Sequence, residues 1–299
     1  MISATFPYQK KRQSVLGQEI AYVDVGNGDP IVFLHGNPAS SYTWRNVIPH
    51  LEGLGRCIAP DLIGMGDSAK LPNSGPGSYS FVEHRRYLDA LLEQLGVRER
   101  VTFVMHDWGA SFGFDWARRH PASVRGLAYI EANVRPLTWE DFPDFTQRGI
   151  QLLQGEAGEK LILDENIFIE KFLPPSVLRG LTDEELAEYR RPFAEPGEGR
   201  RPMLDFPRQI PIDGEPAEVA EIYEAYARWL EQSQIPKLFI NCDHPAAILN
   251  GALRDYCRTW PAQTEVTMHA LRWPQEDCPD ELGQSIAAWL QTLQIGTYL

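Results

Sequence analysis

The chain has 299 residues, 43% of them hydrophobic, a size and composition suited to one α/β domain carrying an insertion. Its 41 acidic residues outnumber 28 Lys and Arg, and the net charge of −13 argues against nucleic acid or an anionic membrane as a main partner. The opening stretch Met1 to Arg12 has no apolar run that would serve as a signal sequence, and no segment approaches about 18 uninterrupted apolar residues, so a cytoplasmic location is expected.

In chain order, the first elements read as a hairpin, Gln13 to Gln18 and Ile20 to Val25, turned at Leu16-Gly17. Ile31 to Leu34 is a short apolar run ending in His35-Gly36-Asn37-Pro38, the pattern of a buried central strand that stops at a functional loop. Arg56 to Ala59 follows as a strand, ending in a loop whose Gly64 and Gly66 permit a tight turn. Phe81 to Leu95 repeats apolar residues at helical spacing (Tyr87, Leu88, Leu91, Leu92, Leu95) and is closed by Gly96. A strand at Val101 to Met105, a helix at Trp108 to His120 and a strand at Leu127 to Ile130 complete the first half. Between about Val134 and Gly214 the rhythm breaks into short helical pieces, such as Asp183 to Tyr189, among prolines that include Pro136, Pro143, Pro174, Pro175, Pro192 and Pro196, and no convincing central strand is visible. Strands resume at Lys237 to Asn241 and Glu265 to Met268, and Leu282 to Leu293 reads as an amphipathic helix. Strands alternating with helices predict a mostly parallel sheet with helices on both faces. The expected organisation is a core of residues 1–133 and 215–299 with a helical cap at 134–214.

Four scattered cysteines, Cys57, Cys242, Cys257 and Cys278, lack the spacing of a zinc site or a disulfide framework and read as free thiols. The seven histidines show no ligand spacing, so no metal or cofactor is expected. The informative string is Val104-Met-His-Asp-Trp-Gly-Ala110, which puts Asp107 where a strand-to-helix elbow presents a nucleophile. An aspartate there attacks carbon and forms an alkyl-enzyme ester, whereas a serine would point to acyl transfer. The competing structural role is a cap on the following helix.

The strings His35-Gly-Asn-Pro-Ala-Ser-Ser-Tyr-Thr-Trp-Arg-Asn46, Ala59-Pro-Asp-Leu-Ile-Gly-Met-Gly-Asp-Ser68 and His106-Asp-Trp-Gly109 resemble those of the haloalkane dehalogenases, and beyond them the Renilla-type luciferases. Ile162-Leu-Asp-Glu-Asn166, Phe168-Ile-Glu170, Gly197-Glu-Gly-Arg-Arg-Pro202 and Phe206-Pro-Arg-Gln-Ile-Pro-Ile212 extend the likeness into the predicted cap. The resemblance implies an α/β-hydrolase fold: a mostly parallel eight-stranded sheet, flanking helices and an inserted helical cap. It implies that Asp107 displaces halide from a small halogenated hydrocarbon, with Asn37 and Trp108 donating hydrogen bonds to the chloride or bromide that leaves. An indole N–H donates and never accepts, which suits an anion.

The resemblance also implies a carboxylate that orients a histidine, and a histidine that activates water against the ester. Glu131, at a strand end, is the first choice for the acid, and Asp243 after the next strand is the alternative. The base position departs from the pattern: Ala270-Leu-Arg-Trp-Pro-Gln-Glu-Asp277 has Arg272 where the family carries histidine. A guanidinium with a pKa above about 12 takes no proton from water at neutral pH. His269 and His244 are alternative bases, while His106 and His35 read as structural. Arg272 turned inward would pair with Asp107 or Glu131 and silence the nucleophile. Turned outward to Glu276 or Asp277, it would leave alkylation intact and hydrolysis weak or absent. The principal expectation is therefore a dehalogenase-like protein of doubtful turnover. A non-catalytic ligand-binding protein, in which Arg272 recruits an anion, is the alternative from another class. A luciferase-like enzyme and an epoxide hydrolase, the latter needing Tyr189 or Tyr223 over the nucleophile, complete the set.

Overall fold

The structure is a computed structural model that describes residues 2–244 and 248–295. Its centre is an eight-stranded sheet in the order β1-β2-β4-β3-β5-β6-β7-β8. The strands are β1 (Lys11–Val15), β2 (Gln18–Val25), β3 (Pro30–Leu34), β4 (Arg56–Pro60), β5 (Val101–His106), β6 (Val124–Ile130), β7 (Lys237–Cys242) and β8 (Gln263–Met268). The β1/β2 and β2/β4 pairs are antiparallel and the rest of the sheet is parallel. The hairpin turns at Leu16-Gly17, both with positive φ (49° and 83°), the backbone of the two-residue turn that follows strand twist. That turn corrects the predicted first strand: β1 is Lys11–Val15, and Gln18 already belongs to β2.

The central strands are apolar on both faces, as parallel strands between helices must be. On β3, Val32 and Leu34 face one core while Ile31 and Phe33 face the other; on β5, Phe103 and Met105 oppose Val104. The first core is covered by α1 (Phe81–Gln94) and α2 (Trp108–Arg119), and the second by the turns around Trp44 and Ile48 and by the last helix.

Between β6 and β7 lie α3 (Asp144–Gln154), α4 (Asp183–Arg190), α5 (Arg201–Arg208) and α6 (Ala217–Leu230), with shorter helical turns among them. The predicted Asp183–Tyr189 helix is present as α4, where Thr182 and Glu185 form a capping box. The long α6, packed against α2, was not anticipated, although Val219, Tyr223, Tyr226 and Leu230 repeat at helical spacing. A parallel bridge between Leu137 and Ile212 joins the two ends of this helical stretch. The chain closes with α7 (Gly251–Arg258), the short α8 (Pro274–Asp277) and α9 (Pro279–Ile295). The four cysteines are free. Among the described residues, no helix is long and apolar enough to cross a membrane.

Candidate active site

Asp107 sits between β5 and α2 with φ 53° and ψ −126°, a conformation that a non-glycine residue adopts only when its surroundings hold it there. Its side chain does not cap α2. Instead Oδ2 accepts a hydrogen bond of 3.0 Å from the backbone N–H of Asn37. The backbone N–H of Trp108 also bonds the carboxylate. Two glycines permit this approach. A Cβ on Gly36 would stand 2.5 Å from the Asp107 Cβ and Oδ2, and one on Gly109 would collide with the Leu34 carbonyl, lifting α2 off the sheet. The carboxylate thus meets one N–H from the loop after β3 and one from the residue after the elbow, the two donors that form an oxyanion hole in this kind of elbow.

Burial raises the Asp107 pKa to about 6, while the charge of Arg272 and the two backbone donors hold it from rising further. The Trp108 ring is 4% exposed and packs against Phe206 at 5.1 Å between centroids, with Phe81, Phe112 and Tyr223 around it. The Asn37 amide is turned toward α5, its Nδ2 donating to the Met203 carbonyl at 3.2 Å, and its Oδ1 is buried without a partner among the described residues.

Glu131 follows Ile130, whose carbonyl accepts from the N–H of Asp107 at 3.2 Å, so the two carboxylates stand at adjacent register positions of neighbouring strands. Glu131 is 1% exposed and has φ 47°. Oε2 accepts from the N–H of Ile248, and Oε1 is buried with no partner among the described residues. Burial raises its pKa to about 7, against the opposing effect of Arg272 and of the Ile248 and Leu249 N–H groups. Among the described residues Glu131 Oε1 is thus open to a donor such as a histidine N–H.

Arg272 lies in the loop after β8, half-buried. The loop is held by its backbone: Ala270 N–H donates to Met268 O at 3.0 Å, Leu271 N–H to Asp277 Oδ2 at 3.2 Å, and the Arg272 carbonyl accepts from His106 Nε2 at 3.0 Å. The guanidinium makes no ion pair or hydrogen bond among the described residues, yet its charge depresses both Asp107 and Glu131. Neither predicted contact is made. The inward bidentate pair is absent, and the outward partners are occupied. Glu276 receives Arg45, Arg179 and Tyr189, and Asp277 receives the N–H groups of Leu271 and Arg179.

The alternative acid and base are brought together, though at the surface. His269 Nδ1 is 3.2 Å from Asp243 Oδ2, with side chains 79% and 44% exposed. His244, the other alternative base, directly precedes residues 245–247, which lie outside the described residues. His106 and His35 are committed to backbone. His106 holds the Arg272 carbonyl, and His35 bridges Gly36 O at 2.9 Å and Leu62 N–H at 3.0 Å; burial lowers their pKa values to about 3 and about 4. Tyr189 donates to Glu276 at 2.5 Å, and the Tyr223 hydroxyl lies 2.8 Å from Ser111 Oγ, one turn beyond the elbow on α2. Sequence reasoning missed the Ser111–Tyr223 pair and the Gly36 contact, both of which depend on which elements pack together.

A profile of the alpha/beta hydrolase fold matches residues 29–279. A haloalkane dehalogenase of Sphingobium indicum is 54% identical over 96% of this chain and 96% of its own. The coelenterazine h 2-monooxygenase of Renilla reniformis is 39% identical over 94% and 90%, respectively. The crystal structure of a haloalkane dehalogenase from Bradyrhizobium elkani superimposes with a TM-score of 0.90 at 38% identity, covering 96% of this chain and 99% of that one.

Proposed function

Since the chain belongs to the haloalkane dehalogenase family of the α/β-hydrolase fold, we propose that it performs the first half of the dehalogenase reaction and accumulates the alkyl-enzyme ester. An Asp107 oxygen attacks the carbon of a small haloalkane, the new O–C bond forming as the C–X bond breaks and X leaves with the electron pair. The Trp108 indole N–H donates to the departing halide, and the surrounding rings keep the pocket dry, which strengthens that bond. Asn37 serves as second donor once its amide leaves Met203. Hydrolysis needs a group that takes a proton from water beside the ester carbonyl. Glu131 is the acid that would orient such a group. The residue in its place, Arg272, has only donors. Asp243 and His269, paired at the surface, take no part in this reading, and the helical segment 134–214 acts as the cap.

The observation that carries this reading is the combination of an elbow aspartate held on two backbone N–H groups with a buried acid whose Oε1 has no partner among the described residues. Incubation with 1-bromohexane followed by intact-mass measurement tests it. A stable hexyl adduct on Asp107 with little bromide release is expected, and Arg272→His should convert the protein to steady bromide release. Clean turnover by the unaltered chain, or no adduct in either form, refutes the proposal.

A further inference from the structure

We infer that Asp277 is a positioning residue, whose carboxylate ties the helical segment between β6 and β7 to the loop that carries residue 272, so that the seating of that segment sets where the side chain at 272 stands. The tie itself is independent of any reaction; its bearing on ester hydrolysis rests on the function proposed above.

Two backbone N–H groups from distant parts of the chain converge on this one side chain. Oδ1 accepts from the N–H of Arg179 at 3.1 Å, and Oδ2 accepts from the N–H of Leu271 at 3.2 Å. Arg179 lies just before α4, whereas Leu271 is the neighbour of Arg272 in the loop after β8. A carboxylate accepts on both oxygens at once, and the isosteric amide of asparagine on only one. The residue type therefore suits a joint between two donors. On the other side of position 272, the Arg272 carbonyl accepts from His106 Nε2 at 3.0 Å. Burial lowers the His106 pKa to about 3, so the ring is neutral and its single proton is on Nε2. His106 is the residue before Asp107. A continuous path of chain and hydrogen bonds thus runs from the strand of the nucleophile through position 272 to Asp277 and the segment before α4.

The joint is stiff because the turn that holds it is itself anchored. The Asp277 N–H donates to Trp273 O at 2.9 Å within α8. The adjacent Glu276 is fully buried, accepts from Arg45 at 2.6 and 2.8 Å, and accepts from the Tyr189 hydroxyl of α4. Arg179 adds two bonds to the same turn, from Nε to the Glu276 carbonyl at 2.5 Å and from Nη2 to Glu276 Oε2 at 2.9 Å. The same guanidinium grips Glu185 of α4 at 2.8 and 2.6 Å. Bonds to ionised groups are about twice as strong as neutral ones, so a displacement of residues 179–189 is passed to α8 and, through Asp277, to Leu271. A group that activates water against an ester works only within about 0.5 Å of its productive place, which gives this tie its consequence for the step that uses residue 272.

Hydrogen-exchange mass spectrometry on the full chain tests the tie without any reaction. Asp277→Asn keeps the shape and one acceptor, and should speed exchange in both 269–273 and 177–182 on the order of tenfold. Arg179→Ala, made on the α4 side alone, should speed exchange in 269–273 as well. Acceleration of one segment without the other, or of neither, overturns the inference. For the reaction, adding Asp277→Asn to the Arg272→His protein should cut bromide release from 1-bromohexane on the order of tenfold while the hexyl adduct builds up on Asp107. A variant that was merely less stable would lose the adduct too. Undiminished bromide release, or its loss without adduct, overturns the positioning role. Failure of Arg272→His to release any bromide refutes the proposed function instead, and the exchange measurement then decides the tie by itself.

Discussion

Replacing Arg272 by leucine should slow alkylation at neutral pH and leave it intact at alkaline pH. The Asp107 carboxylate already carries a pKa of about 6, with burial raising it and Arg272 the foremost opposing influence. Two unit charges several ångströms apart at an effective dielectric of about 20 attract by about 2–3 kcal/mol. Each pKa unit corresponds to about 1.4 kcal/mol, so loss of the guanidinium should move the Asp107 pKa up by on the order of two units. Only the ionised form attacks carbon. At pH 7 its population falls from about nine-tenths to about one-tenth, and the rate of adduct formation falls by on the order of tenfold. At pH 9.5 the two proteins should react at similar rates. The assay is the intact-mass time course of 1-bromohexane labelling from pH 5 to 9.5. A profile for Arg272→Leu with the same midpoint as the parent would show that the arginine does not tune the nucleophile. A rate reduced equally at every pH would mean that the substitution had altered packing instead of charge.

The same burial has a stability consequence. Because the folded pKa of Asp107 lies above the ordinary value of 3.8, the folded state holds the proton more tightly, and stability is lost as pH rises through about 6. Asp107→Asn should therefore raise the melting temperature at pH 8, and its advantage should shrink toward pH 5, as differential scanning calorimetry would show. Gly36→Ala should cut the adduct rate by on the order of a hundredfold, because the new methyl displaces the nucleophile or the Asn37 N–H that holds it; unchanged labelling would contradict that contact. Glu276→Ala should destabilise the fold by about 3–5 kcal/mol in urea unfolding, since it strips the fully buried Arg45 of its bidentate partner and Tyr189 of its acceptor.

The chemistry-bearing loops were legible because each is a local pattern. An apolar strand followed by His35-Gly36-Asn37-Pro38, or by Asp107-Trp108-Gly109, announces both its burial and its terminus. The expectation of an arginine at the histidine position comes from a local pattern too, the Ala270-Leu271 and Gln275-Glu276-Asp277 that flank it. Where Arg272 sends its guanidinium was not legible, because that depends on Arg45 and Arg179 having already occupied Glu276, a contact between residues far apart in the chain. The pairing of His269 with Asp243 was hidden likewise, since it follows from the register of β7 beside β8 and from which way the strand ends face. Helix α6 is harder to read from the sequence because Pro207, Pro211 and Pro216 punctuate the chain just before it, although Val219, Tyr223, Tyr226 and Leu230 keep a regular apolar spacing.

The loop that carries position 272 owes its shape to main-chain bonds with Met268, His106 and Asp277, and none of them uses the side chain at 272. It works as a tool holder: the bit can be exchanged while the chuck stays put. Arginine and histidine are then two bits for one machine, the first suited to gripping charge and the second to moving protons. A series of substitutions there would report on side-chain chemistry at a fixed address, which makes this position a natural place to test whether one side chain decides between labelling and turnover.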